Sequence, residues 1–215
     1  MVVVYLPGRV GNQLRFRYYR TRLRFLGSDV RIDAGAQLVN PEYISIGDNC
    51  WIDRYVLLIA GPPHEGNRKL ARTENPMFKY TEGELVIGKN CHIASHVVIN
   101  GHGGVSIGDD STVAAGAKIV SLSHHYRNVL DPEDRHLYSF GSRVPGHDQF
   151  LLSSAVALDQ NTALATNSIM LPGSSIGRYS WVGAGSVVTG HIPPGCVAWG
   201  IPAKPMKDRP GFREA

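Results

Sequence analysis

Residues 158–188 read LDQNTALATNSIMLPGSSIGRYSWVGAGSVV, and this stretch decides the fold. Leu158, Leu164, Met170, Ile176, Val182 and Val188 recur every six residues without a gap. Four residues after each of the first five stands a small side chain: Thr162, Ser168, Ser174, Ser180 and Ser186. A period of six is neither helical nor the simple alternation of one long strand. It fits short extended segments joined by tight corners, with the aliphatic residue inward and the small residue in a crowded bend. Three segments of six make an 18-residue turn of a triangular solenoid. One such turn cannot bury its apolar face alone, so turns must stack around a continuous core.

The same beat runs outward from this stretch. Ile46, Ile52 and Leu58 carry it with Cys50 and Val56 at the small position. Ile87, Ile93 and Ile99 follow with Cys91 and Val97, then Ile107, Val113 and Ile119 with Ser111 and Ala117. Ile32 and Leu38 read as a weaker first turn. Gly47, Gly88, Gly108, Gly177 and Gly183 follow an aliphatic residue and are expected to supply unusual backbone angles at the corners. The expected architecture is all-β: a helical cap over 1–29, a solenoid over 30–190, and a tail over 191–215. Insertions at 59–84, with Pro62, Pro63, Gly66, Pro76 and Gly83, and at 121–152, with Pro132, Gly141, Pro145 and Gly146, break the repeat. Stretches this long without periodicity are often functional. They are expected to project as arms that meet a partner subunit or cover a site, a tolerated surface insertion being the alternative.

The 215 residues are 43% hydrophobic and 19% charged, enough for a core and unlike a disordered chain. No apolar run approaches the roughly 20 residues of a membrane span. The opening residues Met1 to Pro7 lack a basic signal-peptide region. Three cysteines argue against a disulfide scaffold, so a cytoplasmic setting is expected. A net charge of +4 suits anionic ligands without being a nucleic-acid signature. Arg9, Arg15, Arg17, Arg20, Arg22 and Arg24 cluster with no acid between them, interleaved with Leu14, Phe16, Tyr18, Tyr19, Leu23, Phe25 and Leu26. The pattern predicts a short amphipathic helix capping the first turn, and residues 9–27 also suit an anionic membrane surface.

The terminal strings Ile176-Gly177, Val182-Gly183-Ala184-Gly185-Ser186-Val187-Val188-Thr189, Ile192-Pro193-Pro194 and Gly200-Ile201-Pro202-Ala203-Lys204 resemble the acetyl-CoA-binding end of the hexapeptide-repeat acyltransferases. The resemblance covers roughly residues 30–207. It is nearest the galactoside and maltose O-acetyltransferases and the enzymes that O-acetylate surface polysaccharides. It implies a left-handed parallel β-helix, acetyl-CoA as co-substrate without a metal, a saccharide acceptor, and a homotrimer with active sites between neighbouring subunits.

The resemblance also implies site residues. In the sugar acetyltransferases the catalytic histidine lies 17 residues beyond the isoleucine of an Ile-Gly corner, which from Ile107 gives His124. Ser123-His124-His125-Tyr126 is similar to that family's segment, and His125 is the weaker candidate. A sugar hydroxyl is a poor nucleophile, and an imidazole can take its proton as the thioester is attacked. Asp131, Glu133, Asp134 and Asp148 are candidates to orient that base, each also readable as a solvated loop charge. The site asparagine of the sugar acetyltransferases falls on Ala94 here, and Asn100 lies nearby but out of register. That departure implies a different acceptor, met by His125, Tyr126 and Asn100.

For the coenzyme, Ala165, Gly183, Ala184 and Gly185 keep a groove open for the pantetheine arm. The resemblance implies coenzyme contacts at Thr166 and Ala184, which at 18 residues apart are expected to stack, a further contact at Thr189, and Lys204 and Lys207 at the phosphates. Ala163-Leu164-Ala165 stands where the family commonly has Trp-Ile-Gly, and Trp181 and Trp199 offer aromatic surface elsewhere. His92, His96, His102 and His124 invite comparison with the zinc β-helices of the γ-class carbonic anhydrases, but their spacing does not match. Cys50 and Cys91 are explained by burial. An amino-sugar N-acyltransferase and a non-catalytic scaffold are the remaining alternatives.

Overall fold

A computed structural model describes residues 2–64, 66–73, 75 and 81–212. Pro76 of the first insertion and residues 213–215 of the expected tail lie outside them. The six-residue beat becomes short strands in three parallel sheets that the chain visits in rotation. The first face runs from Phe25–Leu26 through Ile44–Ile46, Leu85–Ile87, Val105–Ile107, Val156–Leu158 and Ser175–Ile176 to His191–Ile192. The second runs from Arg31–Ile32 through Trp181–Val182 and ends with the antiparallel pair Cys196–Gly200 and Ala203–Asp208. The third runs from Gln37–Val39 through Lys118–Val120 to Val187–Val188. Register stacks like on like: Ile52 on Ile93, Ile93 on Val113, Val113 on Leu164, Leu164 on Val182, every one of them fully buried. Each such side chain contributes about 1.5–3 kcal/mol by leaving water.

The small positions form a second inward ladder with its own bonds. Five of these side chains donate to a backbone carbonyl of the following turn: Cys50 to Gly88 at 3.0 Å, Cys91 to Gly108 at 3.2 Å, Ser111 to Asp159 at 3.1 Å, Ser168 to Gly183 at 2.8 Å and Ser180 to Pro193 at 2.6 Å. Buried hydroxyls are thereby satisfied where they would otherwise cost free energy. Side-chain contact with the Cys50 sulfur and burial both push the Cys91 thiol up, so it stays protonated and structural.

Three expectations need correction. The turn is 18 residues only in the late coil, where Leu164 pairs with Val182; Ile99 pairs with Ile119 at a spacing of 20. The two extra residues widen the bend between the third and first faces. The corner glycines do not carry the left-handed backbone. That falls on the residue just before the small position, as at Asn49, Asn90, Asp110, Asn161 and Asn167, whose φ values lie between 54° and 59°. Gly47 is needed for close stacking instead: a Cβ there would lie 2.7 Å from the backbone of Gly88. Finally, strands continue on both sides of the expected 30–190 solenoid, with Phe25–Leu26 before it and His191–Ile192 after it.

Two helices, α1 (Val2–Tyr5) and α2 (Gly8–Arg20), close the first turn. Gly11, Arg15 and Tyr19 form the inner face of α2. Arg15 therefore departs from the expected basic surface and is fully buried. Among the described residues no helix is long and apolar enough to cross a membrane.

The insertions are not separate arms. Lys69–Arg72 of the first pairs in parallel with Phe150–Ser153 of the second, which pairs antiparallel with Leu122–His124. A small core of Ala71, Tyr138 and Phe150 holds them together. Across it, the Tyr138 hydroxyl donates to Asp134 at 2.6 Å while Lys69 donates to Tyr138 at 2.7 Å. The Tyr138 hydroxyl, the His136 N–H and the Asn128 amide hold the Asp134 carboxyl well below the usual carboxylate range. A depressed folded-state value means this support is present above the ordinary carboxylate range and is lost as pH falls through the folded value. We therefore expect Asp134→Asn to make residues 121–152 protease-sensitive at neutral pH, whereas the wild type becomes so only in acid. Equal cleavage of both proteins across the pH range would refute this.

Candidate active site

His124 ends the strand Leu122–His124, just beyond the third face, and is half-buried. Its backbone is set by antiparallel pairing with Leu151. Its Nε2 lies 3.2 Å from Oε1 of Gln149, a fully buried residue. That oxygen also accepts from Arg68 Nε at 2.9 Å, while the Gln149 amide nitrogen donates to the Val144 carbonyl at 2.7 Å. An amide oxygen only accepts, so the ring nitrogen facing it carries the proton. Nδ1 is left with the lone pair. Arg68 and His124 reach the same oxygen, so their nitrogens are no more than about 6 Å apart. The orienting group is thus a neutral amide and not one of the expected carboxylates. Asp134 is taken up by Tyr138, Lys69 and Asn128, and Asp148 faces His136 and His147.

The other acceptor-side candidates take local roles. His125 stacks on Tyr126, with ring centroids 4.6 Å apart, and its Nδ1 lies 2.9 Å from the Arg127 carbonyl oxygen, to which it donates. Tyr126 is exposed. Asn100 does not contact His124; its Oδ1 accepts from the His102 backbone at 3.3 Å.

The coenzyme candidates gather at the corner between the second and third faces. Ala165 donates to Val182 at 3.0 Å, Gly185 donates to Thr166 at 2.9 Å, and Gly183 donates to Ala198 at 2.8 Å. Residues 165–167 thus stack on 183–185, with Thr166 and Ala184 exposed. A Cβ on Gly183 would lie 3.1 Å from Cβ of Trp199, whose strand partner is Lys204. Lys207 lies further along, opposite Val197. Thr189 follows Val187–Val188 and so stands at the far end of the third face, in the bend that His124 also leaves. In one chain, then, His124 and the small-residue corner lie at opposite ends of the third face.

The family described as hexapeptide repeat of succinyl-transferase matches residues 84–120. The putative lipopolysaccharide biosynthesis O-acetyl transferase WbbJ of Escherichia coli is 33% identical over 128 residues, 60% of this chain and 62% of that protein. The chain thus spans less than two thirds of that relative. The dTDP-4-amino-4,6-dideoxy-D-glucose acyltransferase of Escherichia coli is 27% identical over 86% of this chain and 81% of its own length. These similarities are to hexapeptide-repeat and sugar acyltransferases. Among solved structures, a variant of AntD, an N-acyltransferase from Bacillus cereus crystallised with dTDP and coenzyme A, shares the fold with a TM-score of 0.70. It is 21% identical and covers 91% of this chain and 89% of its own.

Two features of this hexapeptide-repeat chain escaped the sequence reading. Gln149 and Arg68 come from different insertions, and only the three-stranded sheet brings them to His124. The histidines considered for zinc are spread out instead of converging. His92 stacks on Trp51 at 4.6 Å, His96 stacks on Tyr55 at 5.3 Å, and His102 faces the Gly61 carbonyl. Among the described residues no group of three or more His, Cys, Asp or Glu side chains could hold a metal ion.

Proposed function

We propose that the protein is an acetyl-CoA-dependent O-acetyltransferase acting on a saccharide, with His124 as general base, folded as a left-handed parallel β-helix and working as a cytoplasmic homotrimer. The observation that carries this reading is the His124–Gln149–Arg68 arrangement, which fixes the imidazole and leaves Nδ1 as proton acceptor. Nδ1 takes the proton of the acceptor hydroxyl as its oxygen bonds to the thioester carbonyl carbon. The tetrahedral oxyanion is met by backbone N–H donors of the cleft. It collapses with cleavage of the C–S bond, and the imidazolium returns its proton to the departing thiolate. The products are an acetyl ester and free coenzyme A.

The corner formed by Ala165, Thr166, Gly183 and Ala184 suits the pantetheine arm, because small side chains leave backbone groups open. Lys204 beside Trp199 and Lys207 beyond it supply cations for the phosphates, and Thr189, His125, Tyr126 and Asn100 are assigned to the acceptor and thiol ends. The opposed positions of His124 and this corner support the trimer: one copy's His124 faces the coenzyme corner of the next. Three free cysteines, all buried, suit a reducing compartment.

Similarity to an amino-sugar acyltransferase over most of both chains favours N-acylation as the second reading. Thiol release from acetyl-CoA with hexoses, nucleotide-sugars and dTDP-4-amino-4,6-dideoxyglucose separates the two. Release with hydroxyl acceptors only supports O-transfer, release with the amino-sugar only supports N-transfer, and failure to bind acetyl-CoA by calorimetry refutes both. A further expectation concerns Gln149. Gln149→Glu places a carboxylate beside the Nε2 hydrogen and favours the imidazolium. The acidic limb of the kcat profile should move to higher pH, by about one unit. An unmoved limb would remove Gln149 as the orienting group.

A further inference from the structure

The outward face of α2 is divided lengthwise. Its inner residues Gly11, Arg15 and Tyr19 pack on the first turn. Along one side Val10, Leu14 and Tyr18 recur every four residues, with exposures of 64%, 37% and 41%. Arg9 and Arg17, each two residues before an inner one, stand on the outward row beside that stripe. Arg22 continues it, its guanidinium 3.8 Å over the Tyr18 ring. Below this row a groove of about 510 Å³ lies between the helix and the 29–31 bend, lined by Arg9, Phe16, Arg17 and Arg31 with Asp29 the one acid. Arg31 is paired with Asp33 at 2.9 Å, and Arg9 and Arg17 make no ion pair among the described residues. Exposed apolar side chains normally occur singly, so a stripe of three beside unpaired arginines marks a contact surface.

We propose that this capping face docks the protein on an anionic phospholipid bilayer. Lipid phosphates meet the exposed Arg9 and Arg17 while Val10, Leu14 and Tyr18 on the adjoining side settle among the upper acyl chains. The chemistry is that of an interfacial amphipathic helix, with basic residues at headgroup level and apolar ones just below. It differs from a free helix in that the inner face is already occupied by protein, so only a narrow stripe is available. Attraction should therefore be mainly electrostatic and reversible. This proposal stands independently of the acyl-transfer reading.

The test is co-sedimentation of the intact chain with vesicles of phosphatidylcholine alone or mixed with phosphatidylglycerol. The wild type is expected to sediment only with anionic vesicles and to be released by salt. Arg9→Gln with Arg17→Gln should weaken binding about thirtyfold. Leu14→Ser should weaken it about fivefold at every salt concentration, because it removes an apolar contact. These side chains are exposed, so unchanged thermal unfolding serves as the folding control. A wild type that stays in solution at low salt overturns the proposal. So does equal binding to neutral vesicles, or binding that the substitutions do not alter. Displacement by soluble glycerol phosphate at matched phosphate concentration would show a free-phosphate site in place of a membrane surface.

Discussion

His124→Ala is expected to lower kcat/KM for acetyl transfer by about 10²–10⁴-fold while leaving acetyl-CoA affinity unchanged. The asymmetry follows from where the residue stands. His124 belongs to the bend after the third face and to the insertion sheet, whereas the corner proposed for the coenzyme lies at that face's other end. Its loss removes the proposed proton acceptor without touching the backbone groups proposed to hold the pantetheine arm. The loss should be confined to kcat, because a base acts on the transition state and contributes little to the ground state. An amine acceptor is a better nucleophile than a hydroxyl, so the loss should be smaller with an amino-sugar than with a hexose. A fall of less than about tenfold with the preferred acceptor would leave His124 outside the proton-transfer step. Weakened acetyl-CoA binding would instead place it at the donor site.

How far the sequence reached is clearest at the corners. The inward ladder was legible because burial there demands both an aliphatic residue and a small one at fixed spacing, and the structure buries both sets. The role of the glycines was misread, because sequence alone does not separate a glycine needed for its φ from one needed for close stacking. Gly47 is needed for stacking, while Asn49, two residues on, takes the left-handed angle. A recurrence of Asn or Asp one place before the small residue was present and would have shown it. The run of small residues was legible, and the structure stacks residues 165–167 on 183–185, whereas Thr189 lies at the other end of the sheet. Gln149 was not legible. It sits 25 residues after His124 in a stretch without periodicity, and what joins them is strand pairing between two insertions. Composition marks such stretches as irregular and carries no register for them.

Arg15 shows the same limit with a larger energetic consequence. Six arginines between residues 9 and 24 read alike by composition. Only the four-residue spacing of Gly11, Arg15 and Tyr19 separates the buried one. Its Nε donates to the Ile32 carbonyl at 2.7 Å, and its Nη1 donates to Leu6 at 2.6 Å and Val3 at 3.0 Å. Nη2 bonds Asn12, whose amide donates to Asp33 at 3.1 Å. One guanidinium thus ties α1, α2 and the first strand of the second face together. Burial lowers its pKa, and nearby Asp33 partly offsets that effect. A charge so placed is tolerable only because each of its three nitrogens donates to an oxygen. Arg15→Met keeps the stem and removes the donors, leaving several carbonyls unpaired at about 1–3 kcal/mol each where water cannot reach them. Partial relaxation of the cap should hold the net loss near 3–5 kcal/mol, a fall in Tm of about 10 °C for a chain of this size. Arg15→Lys should recover part of it, since an ammonium can reach only some of the same carbonyls. The Gly35 amide, bonded to Val4 at 2.8 Å, is the local reporter, and its hydrogen exchange should accelerate before that of the central strands. Unchanged Gly35 protection and a Tm near that of the wild type would mean that the apolar contacts of Tyr19 and Leu23 suffice to seat the cap.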